Sequence, residues 1–68
     1  MRFPIYLSRT NYPDEIAVSR WEDKRPRGVV IRDGNEFVAV RFYKGQADEQ
    51  GRFQNLRHAI RWAASTRR

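Results

Sequence analysis

Arginine is the residue type through which this sequence would act on another molecule. Twelve arginines and two lysines stand against eight acids, for a formal net charge of +6. A guanidinium presents planar, bidentate donors to phosphate and stacks on bases, so an arginine-rich balance suits an anionic polymer. A gene of high G+C content gives the same bias without any such role, so the distribution of the arginines says more than their total. Two groupings stand out. Arg57, Arg61 and Arg68 fall at spacings of four and seven within Gly51–Arg68, a segment with five arginines and no acid. Arg57 and Arg61 form an i,i+4 like-charge pair that no acid nearby relieves, and a phosphate would supply the missing counter-charge. A solvated face that complements the helix dipole is the alternative. The second grouping is Arg25, Arg27, Arg32, Arg41 and Lys44, interleaved with Tyr43. Cations among aromatic residues suit sugar–phosphate contact with stacking, although Phe37, Ala39 and Tyr43 would serve equally as core.

Catalytic chemistry has no comparable constellation. The single histidine, His58, has no carboxylate or nucleophile at a useful spacing. Asp14-Glu15, Glu22-Asp23 and Asp48-Glu49 are adjacent pairs in turns, and on a strand neighbours point to opposite faces, so they make poor acid/base pairs or metal clusters. No phosphate-binding loop, Ser/His/Asp set or metal-ligand spacing is present. The expectation is a protein that is not an enzyme and holds no cofactor or metal.

The elements that position these arginines follow from periodicity. Sixty-eight residues make a single domain with a small core and no cysteine to staple it. Nine aromatic residues fit that need. Arg27–Tyr43 reads as a β-hairpin about Asp33-Gly34-Asn35-Glu36, since Gly34 and Asn35 both tolerate positive φ. Its second strand alternates, with Val38, Val40 and Phe42 on a wholly apolar face and Phe37, Ala39, Arg41 and Tyr43 on the other. Arg2–Ser8 suggests an edge strand, because Pro4 cannot donate to a ladder. Ser8–Asp14 is turn-rich, and Glu15–Glu22 favours strand through Ile16, Val18 and Trp21. Asp23-Lys24-Arg25-Pro26 is a charged turn, and Lys44–Gly51, polar with a glycine near each end, reads as a loop.

From Asn55 the period becomes helical: Leu56, Ala59, Ile60 and Ala63 mark one apolar face, Asn55 is a serviceable N-cap, and Phe53 is placed to pack on the first turn. Trp62 lies on the opposite margin, one turn from His58. The expected fold is α+β: a small antiparallel β-sheet of three to four strands packed against one C-terminal helix. One helix can shield Val38, Val40 and Phe42. Phe37, Tyr43 and Trp21 then also seek cover, which a two-fold homodimer would supply. No stretch reads as a signal peptide or reaches the ~18 apolar residues of a membrane span, so no membrane partner and an intracellular, cytoplasmic setting are expected.

Over residues 27–63 the sequence resembles the sheet-plus-helix DNA-binding domain of plant ethylene-response factors and of phage and transposon integrase arm-binding domains. The resemblance rests on Arg27-Gly28-Val29, Arg32, Phe37-Val38-Ala39, Gly51-x-Phe53 and Ala59. It implies a three-stranded sheet laid in the major groove with the helix packed behind, and Arg32 at a DNA-contact position. The chain departs from the pattern at Val30, Gly34, Val40 and Phe42, where the family carries its other groove-facing residues. A face of Val38, Val40 and Phe42 offers bases no hydrogen bonds. It therefore meets the helix, lies under the N-terminal strands, or binds protein. The leading expectation is a nucleic-acid-binding accessory factor of a phage or mobile element, with DNA ahead of RNA. The alternative is a compact protein-interaction module that inhibits or modulates a larger host or nucleoprotein assembly.

Overall fold

Small residues decide how this chain folds, because they fix the side of the sheet on which its one helix can lie. The computed structural model describes residues 5–20 and 25–65. Arg2, Pro4, the Trp21–Lys24 stretch and Arg68, which entered the readings above, lie outside these residues. Five antiparallel strands run in sequence order: β1 (Ile5–Arg9), β2 (Glu15–Arg20), β3 (Gly28–Asp33), β4 (Glu36–Tyr43) and β5 (Gln46–Phe53). The helix α1 (Leu56–Ala64) follows and lies across one face, touching β2, β3, β4 and β5. The α+β expectation holds, and the strand count is five instead of three to four.

The additional strand is β5, in the segment that reads as a loop. Two facts produce it. Lys44 and Gly45 both take positive φ, 55° and 82°, which is the type I′ pattern whose twist matches that of flanking strands. The chain then pairs along β4 from Tyr43↔Gln46 to Phe37↔Phe53, so backbone hydrogen bonding overrides the weak strand propensity of Gln46–Gln50. Arg41 pairs with Glu49 but Phe42 with Ala47, which leaves Asp48 as the extra residue of a bulge. At the β3–β4 turn positive φ falls on Gly34 alone (65°), as a type II′ turn requires, and Asn35 does not share it.

Cross-strand pairs define the two faces. Ile16, Val30, Ala39 and Gly51 form one row, flanked by Val18–Gly28–Arg41–Glu49 and Arg32–Phe37–Phe53. This face takes the helix. Val18, Val30 and Ala39 are buried against Ala59, Ala63 and Ala64, with Phe37, Phe53, Ile60 and Trp62 packed around them. The opposite face carries Ala17 and Val29, which are buried at 5% and 9% exposure, and Ile31, Val38 and Val40, which are half-buried; no helix among the described residues lies on it.

Shielding of Val38, Val40 and Phe42 by the helix is thus corrected: α1 packs on the Phe37/Ala39/Arg41 side. The reason is size. A Cβ on Gly28 would sit 3.3 Å from Ala63 Cβ, so the two backbones approach closely there. Alanines on the helix meet Ala39 and Gly28 on the sheet, and a row of valines would hold the helix too far away to seal Val18 and Val30. Leu56, expected on the buried face, is 38% exposed, and Ala64 is buried in its stead.

Both helix ends are tied. The Asn55 side chain accepts a hydrogen bond from the His58 backbone N–H at 3.2 Å, the expected N-cap. At the other end Arg20 Nε donates to the Ala64 carbonyl at 3.1 Å, and Ser65 Oγ donates to the Trp62 carbonyl at 2.6 Å. Phe53 packs against the core cluster that includes Ala59, and its ring also meets Trp62 at 5.5 Å between centroids.

Candidate nucleic-acid interface

Alternation along the strands sorts the charges as well as the apolar residues. Arg9, Arg20, Arg32 and Arg41 all project on the helix-bearing side, with Glu49 paired to Arg41 and Asp14 lining the groove beside Arg32 as the acids among them. The helix adds Arg57 and Arg61 and has no acid in its first turn. The open side carries Glu15, Asp33 and Glu36 against Arg52. Arg52 donates to Asp33 at 2.6 Å and Glu36 at 2.8 Å; these bonds, Asp33 first, raise its pKa above its ordinary value and hold it charged. The helix side therefore carries an excess of cations, and the open side carries more acids than bases around its apolar residues.

The arginines of the cationic side divide by what holds them. Arg41 is turned inward: its guanidinium lies 4.0 Å from the Trp62 ring centroid, donates to Ser65 Oγ at 2.6 Å and pairs with Glu49. Only 15% of its side chain is exposed, and its Nε is buried without a partner. Arg20 serves the helix C-terminus as described. By contrast Arg9, Arg32, Arg57 and Arg61 are exposed and make no ion pair among the described residues.

These four gather around one flank and one end of α1. Helix positions advance about 100° per residue, which sets Arg57 and Arg61 on the flank away from Trp62. Trp62 leans over β4 and β5 through Arg41 and Phe53, so the arginine flank faces β2 and β1. Strand β1 is exposed along its whole length, and Arg9 shares its helix-side row with Ile5 and Leu7. Beside the helix N-terminus a groove of about 300 Å³ is lined by Pro13, Asp14, Ile16, Val30, Arg32, Phe37 and Leu56. Arg9 pairs with Ile16 of that groove, and Arg57 follows Leu56. The dipole of a helix whose first turn lacks acid adds positive potential here.

The remaining sequence candidates lie elsewhere. Arg25 approaches the Lys44–Gly45 turn, 3.9 Å from the place of a Gly45 Cβ, and Lys44 sits 5.4 Å from the Tyr43 ring centroid. That corner is at the far end of the sheet from Arg32. Arg27 is half-buried where the chain enters β3, its backbone N–H donating to Val18 at 2.7 Å and its carbonyl accepting from Phe42 at 2.8 Å. Reading the sequence overlooked Arg9. Its signal was the alternation Ile5, Leu7, Arg9, which places it beside the apolar residues that flank the helix.

These features define a class: a single-layer antiparallel meander backed by one short helix, with its free cations on the helix side. Comparison with models of protein families, with curated proteins and with solved structures finds nothing that matches this chain. Among the described residues no group of histidine, cysteine or acidic side chains is placed to hold a metal ion. No described helix is long and apolar enough to cross a membrane.

Proposed function

We propose that the protein binds nucleic acid through the helix side, by contacts of Arg9, Arg32, Arg57 and Arg61 with the phosphate backbone. The observation that carries this reading is the segregation of charge. Arg9, Arg32, Arg57 and Arg61, with no ion-pair partner among the described residues, gather on the helix side, where the acids are Asp14 and the Arg41-paired Glu49, while Glu15, Asp33 and Glu36 lie on the open side. Exposed arginines that repel one another persist at little cost when a polyanion neutralises them. Phosphate contacts hold a duplex without selecting its sequence, so DNA of many sequences is the fitting ligand class.

Arg32 belongs to this group by its position. It shares a row with Phe37 on the helix side, whereas the resemblance to sheet-in-groove domains would ask for it on the open face. That open face presents Val38, Val40 and acids, which suit neither bases nor phosphate. A second reading, a protein-interaction module, draws its support from the same open face.

The test is a binding titration on two unrelated duplexes at several salt concentrations. Each lost phosphate contact removes about 0.9 from the log–log salt slope. Replacing Arg57 and Arg61 together with Gln flattens the slope by about two units and weakens both duplexes alike. Arg32→Ala behaves as one further contact of the same kind. Loss of preference between the duplexes in Arg32→Ala would instead mark Arg32 as a reader of bases. Absence of binding to DNA and RNA at low salt would end the nucleic-acid reading and put protein docking in front.

A further inference from the structure

The open face of the sheet has a pattern that fits its own copy. Its central row runs Glu15–Ile31–Val38–Arg52 across β2, β3, β4 and β5, and the next row runs Ala17–Val29–Val40–Gln50. Each row is apolar in the middle. The first has an acid at one end and a base at the other. We infer that two copies pack these faces together about a two-fold axis parallel to the strands, between β3 and β4.

Such an axis turns each row end for end, because it exchanges left and right as it exchanges the copies. Ile31 then lies opposite the partner's Val38, a contact that occurs twice, while Val40 lies opposite the partner's Val29, which is only 9% exposed and adds little. Glu15 falls opposite the partner's Arg52, also twice. Stacked sheets lie about 10 Å apart and align within about 30°, a gap that a glutamate and an arginine span and a rotation that preserves this register.

Local details agree with that pairing. Arg52 donates to Glu36 through Nε and to Asp33 through Nη2, which leaves Nη1 with no hydrogen bond among the described residues. The Glu15 carboxylate receives the Thr10 hydroxyl on one oxygen at 3.0 Å and has the other to offer. A depression of about 410 Å³ lined by Tyr12, Pro13, Asp14, Glu15 and Ile31 opens beside that carboxylate. Its two acids and its place at the corner suit an incoming guanidinium. A nucleic acid is a poor occupant, since Glu15, Asp33 and Glu36 would meet its phosphates.

The footprint of four strands about 4.8 Å apart and five residues of about 3.4 Å is roughly 300 Å² in projection, which is small for a stable dimer. Association in the micromolar range follows, so the measurement must reach high concentration. This arrangement does not depend on the nucleic-acid reading, because it uses the other side of the sheet.

The test is sedimentation equilibrium of the full chain from about 5 to 500 μM, with variants chosen for the ion pair. The wild type is expected to pass from monomer to dimer across that range. Glu15→Arg sets arginine against arginine at both ends and weakens the dimer roughly tenfold or more. Adding Arg52→Glu to Glu15→Arg reverses both charges and restores dimerisation, a rescue that only this register gives. Val38→Lys, at the centre, abolishes association, while melting in dilute solution verifies that each variant still folds. A wild type that stays at 8.2 kDa throughout, or a dimer that the charge reversals leave unchanged, overturns the proposal.

Discussion

The two faces of this sheet come from the same strands, residue by residue in alternation, yet they were dealt different parts. The helix-covered face is built from Gly28, Val30, Ala39 and Gly51, and the open face from Val29, Ile31, Val38 and Val40. By hydrophobicity alone the open face is the better core. By size it is the worse partner for a helix that approaches through Ala59, Ala63 and Ala64. In a domain with room for one helix, closeness of approach outweighs apolar content, because a gap beneath the helix forfeits contacts on both sides.

The sharpest challenge to that comparison uses adjacent residues of β4. Ala39→Leu inserts bulk where Ala39 is 0% exposed, and overpacking there costs about 3 kcal/mol, enough to unfold so small a domain. Val40→Leu makes a similar enlargement on the open face and costs less than about 1 kcal/mol. Urea unfolding of the two variants side by side gives the answer; equal losses would mean that both faces are packed alike.

A smaller effect separates the arginines of the two sides. Arg41→Ala breaks the ion pair with Glu49, removes the guanidinium from Trp62 and deletes its bond to Ser65 Oγ, for a loss of about 2 kcal/mol read as a lowered Tm. Arg52→Ala on the open side breaks two ion pairs exposed to water and leaves the melt nearly unchanged. If Arg52→Ala were the more damaging, the open side would carry the structural charges.

Next in size is the cap that seats the helix on its face. Asn55→Ala leaves the His58 backbone N–H without its acceptor and lowers stability by about 1 kcal/mol, measurable by circular dichroism during chemical unfolding. The smallest change touches neither face and has the opposite sign. Lys44 holds φ at 55°, so Lys44→Asn relieves backbone strain in the turn and raises stability by about 0.5 kcal/mol. A drop in Tm would show that Lys44 contributes through Tyr43.

Much of the architecture was legible because local signals agreed with the final pairing. Asp33–Glu36 sat between two β-branched runs, and Asn55 stood before a helical period; both became what they suggest. Strand β5 was hidden because Gln46–Gln50 has no propensity of its own and exists by hydrogen bonding to β4. The choice of face was misread for a different reason: alternation shows which residues share a side, while backbone approach depends on how Gly28 and Gly51 meet the helix in space. The candidate site was half visible. Arg32, Arg57 and Arg61 were chosen for charge, but the internal role of Arg41 required Trp62, Glu49 and Ser65 to be brought together by folding.

The seal that α1 forms has a consequence in time. Every strand neighbours the one made just before it, so the meander can pair as the chain is synthesised. Its core cannot close, because Val18 and Val30 wait for alanines that lie after all five strands. At about 5–20 residues per second, the interval between Phe53 and Ala64 lasts on the order of a second. During it the nascent sheet has two uncovered faces and two open edges, the state in which strands pair with the wrong chain. A ribosome stalled, or a message truncated, anywhere between those residues would release a sticky ribbon, so α1 is also the element that decides whether a finished chain stays apart from its unfinished copies.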